Sequence, residues 1–212
     1  MVSPAQQLAQ WSDKLRDMSA LGLMFSQNIY DRENYQHMQD IALQMLALAT
    51  AQPPAALEPL RATLFPRPTP LATGDGAVID AAGRILLIRR ADNGKWAMPG
   101  GALSVGETPA QGVTREVFEE TGVRVEPVSF VGVHDSRLAG GVTAFQLYHF
   151  LFLCRPLNGT APEQPPSHAA EVLDTRWFAE DALPPDLDPG HVARIAAGYR
   201  AWHGECAAYF DR

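Results

Sequence analysis

Cysteine is scarce in this sequence. The 212 residues include two cysteines, Cys154 and Cys206, which lie far apart and match no metal-binding spacing. Such cysteines are typical of buried free thiols in a reducing cytosol. Basic residues are also in the minority, with 17 Lys and Arg against 24 Asp and Glu and a formal net charge of −7. This deficit argues against a broad nucleic-acid-binding surface.

Long apolar runs are missing as well. The most apolar stretch, around residues 145–154, is interrupted by polar residues and is shorter than a membrane-spanning helix requires. The first residues do not combine a basic segment with an apolar core, so the sequence predicts no signal peptide. We therefore expect a soluble cytoplasmic protein without a membrane partner.

The first 50 residues show apolar positions at helical spacing. They form two stripes, Leu8, Trp11, Leu15 and Met18, and then Met38, Ile41, Met45 and Leu48. A break at Gly22 and at residues 28–31 separates them, which predicts an antiparallel helical hairpin. The stripes are explained either by core packing or by the seam of a homodimer.

The rest of the chain alternates strand-like and helical patterns. Proline is frequent in residues 51–70, where a short helical turn around 57–64 is expected. Strands are predicted at residues 77–80, 84–90, 123–126, 128–133, 144–154 and 174–178, with a terminal helix over 189–204. The strand at 144–154 is apolar on both faces and is expected at the centre of a sheet. We therefore expect a helical extension (1–65), a linker (66–71) and an α+β domain (72–204).

The segment that precedes residue 122 carries complete helix-start and helix-stop signals. Thr108 is a suitable N-cap, Pro109 fits the first helical position, and Gln111 completes a capping box. Gly122 is a natural residue just beyond the last turn. These signals predict a helix over residues 109–121.

Three glutamates of this helix, Glu116, Glu119 and Glu120, share one face because they are spaced i, i+3 and i+4. Like charges at this spacing repel each other, and the end of a helix disfavours anions. Clustered carboxylates are suited to hard divalent cations such as Mg²⁺. The alternative is a solvated acidic face without a ligand.

The wider segment, residues 101–123, resembles the Nudix box at every fixed position. The matching residues are Gly101, Glu107, Arg115, Glu116, Val117, Glu119, Glu120, Gly122 and Val123. The resemblance implies the Nudix α/β/α sandwich with a mixed sheet, and a pyrophosphohydrolase activity. The hairpin, with Trp11, Gly22 and residues 30–32, looks like the helical extension of a Nudix subset that includes CDP-choline pyrophosphatases and ADP-ribose pyrophosphatase-like enzymes.

The resemblance also implies roles for individual residues. Mg²⁺, or Mn²⁺ in its place, would be bound by Glu116, Glu119 and Glu120, with the carbonyl of Gly100 as a further ligand. Catalytic roles would fall to Glu119, Glu116 and Glu171. Glu119 would be a third metal ligand or the base that activates water. Glu171 would be a further metal ligand or base, with a surface loop residue as the alternative. The structural residues of the box would be Gly101, Glu107, Arg115 and Gly122, with Glu107 paired to Arg115.

Three further residues are candidates for substrate binding. Arg89 could bind phosphate, His134 could line the cleft, and Phe145 could stack on a base. Each residue also has a simpler explanation. Arg89 is then a charged residue at a strand end, His134 a structural histidine, and Phe145 part of the apolar packing.

The expected reaction is hydrolysis of a nucleoside diphosphate linked to another moiety, NDP-X, to a nucleoside monophosphate and phospho-X. Hydrolysis of oxidised nucleoside triphosphates and non-catalytic ligand sensing are the alternatives. Within the first class, residues 138–142 lack the proline that ADP-ribose pyrophosphatases often carry downstream of the box.

Overall fold

The computed structural model describes residues 3–67, 70–104, 106–138, 146–168, 170–205 and 207–211. The chain divides into two compact units, one formed by Met1–Leu71 with Gly140–Leu147 and the other by Ala72–Ala139 with Tyr148–Arg212. None of the helices in the described ranges combines the length and the hydropathy that crossing a membrane requires.

The first unit is built on two long helices, α1 (Pro4–Phe25) and α2 (Ile29–Thr50). Ser3 and Gln6 form a capping box at the start of α1, and Asn28 caps α2. Two single turns, α3 (Pro54–Leu57) and α4 (Leu60–Thr63), follow in the proline-rich segment. The predicted helical hairpin is therefore confirmed.

The break between α1 and α2 lies at residues 26–28, and the prediction that Gly22 marks it was wrong. Gly22 is inside α1, where a Cβ atom would come within 2.4 Å of the Tyr35 ring of α2. This glycine is therefore explained by the close approach of two helices, which the sequence pattern does not distinguish from a helix end.

The core of the hairpin uses a different face of α2 from the predicted stripe. Its buried apolar residues are Ala42, Leu43, Leu46, Ala47, Leu57, Leu64 and Phe65. Ile41 and Leu48 of the predicted stripe are exposed, as are Trp11 and Met18 on α1. These apolar residues therefore form part of the surface of the unit.

The described residues of the second unit form two sheets, two helices and two 3₁₀ turns. Its strands are β1 (Leu71–Val78), β2 (Arg84–Arg90), β3 (Trp96–Ala97), β4 (Gly100–Ala102), β5 (Val125–Asp135), β6 (Leu147–Pro156), β7 (Val172–Ala179) and β8 (Tyr209–Phe210). The helices are α5 (Pro109–Thr121) and α6 (Pro189–Trp202), and the 3₁₀ turns are Ser136–Leu138 and Glu180–Ala182. The strand orders are β4-β1-β6-β5-β8 and β3-β2-β7, with β8 parallel to β5. The predicted α+β fold with a mixed sheet is confirmed.

Several strand boundaries differ from the prediction. Residues 125–135 form one strand, because irregularities in its pairing with β6 accommodate Pro127 without ending the strand. The strand β1 begins at Leu71, well before the predicted residue 77. Strand β6 is the third of five in its sheet, so its predicted central position is confirmed.

The helix α5 packs closely on β1 through an apolar cluster. Val113 and Val117 of α5 are fully buried against Val78 and Cys154. A Cβ atom at Gly76 would come within 2.8 Å of Val117, so glycine at this position allows the close approach. This packing fixes the helix that carries the three clustered glutamates.

Candidate active site

The capping interactions predicted at the two ends of α5 are present in the structure. The N–H of Gln111 donates to Thr108 Oγ1 at 3.3 Å, and the N–H of Thr108 donates to Gln111 Oε1 at 2.8 Å. Gly122 follows the last turn in the left-handed conformation with φ of 71°. A Cβ atom there would meet the carbonyl oxygen of Gln164 at 2.1 Å, so backbone conformation and space both favour glycine.

Two of the three glutamates are buried. Glu116 is 8% exposed and Glu120 is 6% exposed, whereas Glu119 is partly exposed. The alternative interpretation of a solvated acidic face is therefore wrong for Glu116 and Glu120. Burying carboxylates is costly unless positive charge or hydrogen-bond donors compensate them, so two buried carboxylates on one helix face are suited to a positively charged ligand.

The surroundings of Glu120 disfavour its charged form. Burial raises the pKa of Glu120 to about 8, and the neighbouring carboxylates of Glu116 and Glu171 contribute to the rise. The opposing contribution is a hydrogen bond of 2.8 Å that the N–H of Gly100 donates to Glu120 Oε2. A bound cation would supply the charge compensation that these residues lack.

The two glycines at the start of the box lie directly beside these carboxylates. A Cβ atom at Gly101 would come within 2.6 Å of Glu116 Oε2, so a side chain there would displace the carboxylate. Gly100 contacts Glu120 through its N–H. The role of the Gly100 carbonyl as a metal ligand stays a prediction.

Arg115 links the loop to the helix, and its expected pair with Glu107 is formed. Its Nε and Nη2 atoms donate to the two oxygens of Glu107 at 3.0 and 2.8 Å. Its Nη1 atom donates to Glu116 Oε1 at 2.7 Å and to Glu119 Oε2 at 3.0 Å. Hydrogen bonds from Arg115 hold the pKa of Glu107 at about 2. This arrangement orients two of the three candidate ligands.

A histidine that the sequence did not single out lies beside two of the three glutamates. One ligand atom from each of Glu116, Glu119 and His168 lies within 4.8 Å of the others. This donor set of carboxylate oxygens and an imidazole nitrogen fits a divalent cation. His168 lies about 50 residues beyond the helix in a loop rich in proline, so no local spacing pointed to it.

Glu171 lies beyond the same loop and is exposed. Its N–H donates a hydrogen bond to the carbonyl of His168 at 2.9 Å, and its own carbonyl accepts a hydrogen bond from the N–H of Ala91 at 2.9 Å. Its charge contributes to the raised pKa of Glu120. The catalytic roles of Glu119 and Glu171 stay predictions.

The three candidate substrate residues have different surroundings. Arg89 donates from Nε to the carbonyl of Gly94 at 2.9 Å, and its Nη2 lies 3.9 Å from Asp186. These contacts support the alternative interpretation of Arg89, in which it is a charged residue at a strand end that stabilises a turn. His134 is 9% exposed and stacks on Tyr209 with 4.4 Å between ring centroids. Phe145 lies outside the described residues.

His134 lies beside a buried polar network that the sequence did not predict. It is the cross-strand partner of His149, whose Nδ1 lies 3.3 Å from Asp75 Oδ2. Although burial would raise the pKa of Asp75, the charge of the contacting Arg194 together with His149 lowers it well below its usual value. Burial and the charge of Arg194 also lower the pKa of His134 to about 4. The sequence feature that could have indicated this network is Asp75, an acidic residue between Gly74 and Gly76 in an apolar strand.

Two family models match this chain. The model described as the NUDIX domain matches residues 71–197. A second model, described as a UDP-X-like, N-terminal oligomerisation domain, matches residues 6–60. Each of the two compact units thus contains most of one matched range.

Individual proteins also resemble the chain. A MutT-like protein of Streptomyces ambofaciens is 38% identical over 120 residues, or 57% of this chain and 71% of that protein. YjhB of Bacillus subtilis, which has the provisional name of an ADP-ribose pyrophosphatase, is 29% identical over 82% of this chain and 81% of its own length. A crystal structure of a UDP-X diphosphatase has the same fold, with a TM-score of 0.58 and 24% identity over 98% of this chain and 99% of that chain.

Proposed function

The chain belongs to the Nudix family and is a hydrolase of pyrophosphate bonds, and on that premise we propose that it is a Mg²⁺-dependent enzyme that cleaves NDP-X. The products are a nucleoside monophosphate and phospho-X. The observation that carries the proposal is the set of clustered glutamates on α5, of which Glu116 and Glu120 are buried, with the pKa of Glu120 raised to about 8. Mn²⁺ is an alternative ion for the same ligands.

Different residues of the chain have different roles in the proposed hydrolysis. Glu116, Glu119 and Glu120 hold the cation, and Arg115 orients the first two through its Nη1 hydrogen bonds. When bound, Mg²⁺ neutralises the charge of a diphosphate and lowers the pKa of water. Glu119 or Glu171 accepts a proton from the attacking water. Catalysis of this kind depends mostly on positioning and electrostatics.

The N-terminal extension supports NDP-X as the substrate class. Residues 6–60 match a family model whose description names UDP-X-like proteins, and YjhB has the provisional name of an ADP-ribose pyrophosphatase. Both names refer to a nucleoside diphosphate joined to another group. The base and the X group stay open, because the fold does not select the substrate.

The same extension supports a homodimer. On α1, exposed apolar residues recur every seven positions at Trp11, Met18 and Phe25, and on α2 the same spacing separates Ile41 from Leu48. Exposed heptad-spaced stripes are typical of helix–helix interfaces. We propose that residues 1–65 form the dimerisation domain, joined by residues 66–71 to the catalytic domain 72–204 in a cytoplasmic enzyme.

A panel of substrates tests the proposed reaction. It contains CDP-choline, ADP-ribose, a UDP-sugar, a dinucleoside polyphosphate and an oxidised nucleoside triphosphate, each incubated with Mg²⁺. Turnover of at least one NDP-X compound supports the proposal. Turnover of the oxidised triphosphate alone would replace it with a sanitising function, and binding without turnover would favour a ligand sensor.

A further inference from the structure

His168 lies at the open side of the glutamate cluster. Its Nδ1 atom is 3.8 Å from Glu119 Oε2, and its side chain is 41% exposed. One ligand atom from His168 lies within 4.8 Å of ligand atoms from both Glu116 and Glu119. Metal–ligand bonds of about 2.1 Å place two ligands up to about 4 Å apart. The 3.8 Å between His168 and Glu119 already fits one ion, and an atom at the 4.8 Å limit would have to move closer by less than about 1 Å.

The backbone holds this histidine in place independently of its side chain. The N–H of His168 donates to the carbonyl of Glu119 at 3.0 Å, in the last turn of α5. The N–H of Glu163 donates to the carbonyl of Gly122 at 2.8 Å, at the end of the same helix. The loop is thus fastened to the catalytic helix at two points. The imidazole therefore stays beside the carboxylates without needing an ion pair to hold it there.

We propose that His168 is a nitrogen ligand of the divalent cation that Glu116 and Glu119 bind. The inference rests on the proposed metal-dependent function, and it adds a residue outside the box to the ligand set. Imidazole nitrogen binds transition-metal ions such as Co²⁺ and Zn²⁺ much better than Mg²⁺, which prefers oxygen. His168 therefore widens the range of ions that the site accepts, while the carboxylates alone account for Mg²⁺ binding.

The direct test is pulsed electron paramagnetic resonance of Mn²⁺ bound to the untagged, full-length protein. A coordinated imidazole produces ¹⁴N modulation of the Mn²⁺ spin echo, whereas carboxylate and water ligands do not. We expect this modulation in the wild-type protein and its loss in His168→Gln. Glutamine is similar in length and polar but is a poor ligand, and the exposed position of His168 makes misfolding unexpected.

Calorimetric titrations with Co²⁺ and with Mg²⁺ measure the effect on ion choice. The His168→Gln change should weaken Co²⁺ binding by about tenfold or more and leave Mg²⁺ binding nearly unchanged. The matched control is His203→Gln, because His203 also pairs with a glutamate, with its Nε2 3.0 Å from Glu180 Oε2. The control variant should bind both ions as the wild type does.

The outcomes separate this inference from the function on which it rests. Glu116→Gln is measured in parallel, with circular dichroism to verify its fold. If Glu116→Gln weakens Mn²⁺ binding but the wild type shows no ¹⁴N modulation, the ligand role of His168 is wrong and the carboxylate site stands. If the folded Glu116→Gln variant binds Mn²⁺ as the wild type does, the proposed metal site is itself wrong.

Discussion

The backbone N–H of Gly100 donates a hydrogen bond of 2.8 Å to Oε2 of Glu120. The bond joins the strand β4 to the last turn of α5, 20 residues further along the chain. It is the contribution that lowers the pKa of Glu120 most, yet burial still raises that pKa to about 8. The hydrogen bond thus positions this carboxyl group but does not offset the cost of burying its charge.

The first prediction concerns Glu120. Glu120→Gln should lower kcat by at least about 100-fold, because even outer partners of metal ligands contribute about 10- to 100-fold. The amide keeps the size of the side chain, so thermal denaturation should show an intact fold. Steady-state kinetics with saturating Mg²⁺ measure the effect. Glu126→Gln, in an exposed pair with Arg155, is the matched control, and a near-normal rate of Glu120→Gln would count against the metal assignment.

The second prediction concerns Arg115, which links Glu107 in the loop before α5 to the carboxylates of that helix. Arg115→Lys should raise the Mg²⁺ concentration for half-maximal activity by about tenfold, because lysine cannot donate to Glu107 and to the helix carboxylates at once. Activity measured over a Mg²⁺ titration gives the value. Arg124→Lys is the control, since Arg124 stacks on Phe118 of the same helix and pairs with Glu163. An unchanged Mg²⁺ requirement in Arg115→Lys would contradict the orienting role.

The helix that carries the site was predictable because its signals are local. Thr108, Gln111 and Gly122 lie within a turn of the helix ends that they define, and the observed helix has the predicted bounds. The spacing of Glu116 and Glu120 placed both on one face, but their burial depends on β4 and on the packing of α5 against β1. The spacing of residues in the sequence shows which of them share one face of a helix. It does not show which other elements of the fold cover that face.

Other features depend on contacts that no local pattern contains. The strands β3, β4 and β8 have two or three residues each, too few to show any periodicity. His168 reaches the site because its loop is hydrogen-bonded to the end of α5. Arg89 looked like a phosphate ligand at a strand end, and only the structure shows its bond to Gly94. Each of these is set by tertiary structure.

The third prediction concerns the exposed apolar stripes of the hairpin. Met18→Glu and Leu48→Glu should each shift the protein from dimer to monomer, because they place a charge in the proposed seam. Both residues are exposed and their replacement leaves the core of the hairpin intact. Light scattering coupled to size-exclusion chromatography measures the mass. Gln36→Glu adds the same charge at an exposed polar position of α2 and should not change the mass. Dimers in all three variants would exclude this seam.

The fourth prediction concerns acid stability. The pKa of His134 is lowered from 6.5 to about 4, so below pH 6.5 the unfolded chain binds a proton at this residue before the folded protein does. Stability is therefore lost as the pH falls from 6.5 towards 4, at up to about 1.4 kcal/mol per pH unit. Urea denaturation at several pH values should show a shallower loss for His134→Gln than for the wild type. The control is His37→Gln, at an exposed position of α2, and equal slopes for all three proteins would contradict the assignment.

The central claim is that the enzyme cleaves the diphosphate of NDP-X, and ³¹P NMR of the reaction products tests it most directly. With Mg²⁺ and the best substrate of the panel, the two diphosphate signals should give way to two phosphomonoester signals of equal intensity. The Glu120→Gln variant should leave the diphosphate signals unchanged over the same time. Intact diphosphate signals for every NDP-X compound, together with pyrophosphate release from a triphosphate, would contradict the account.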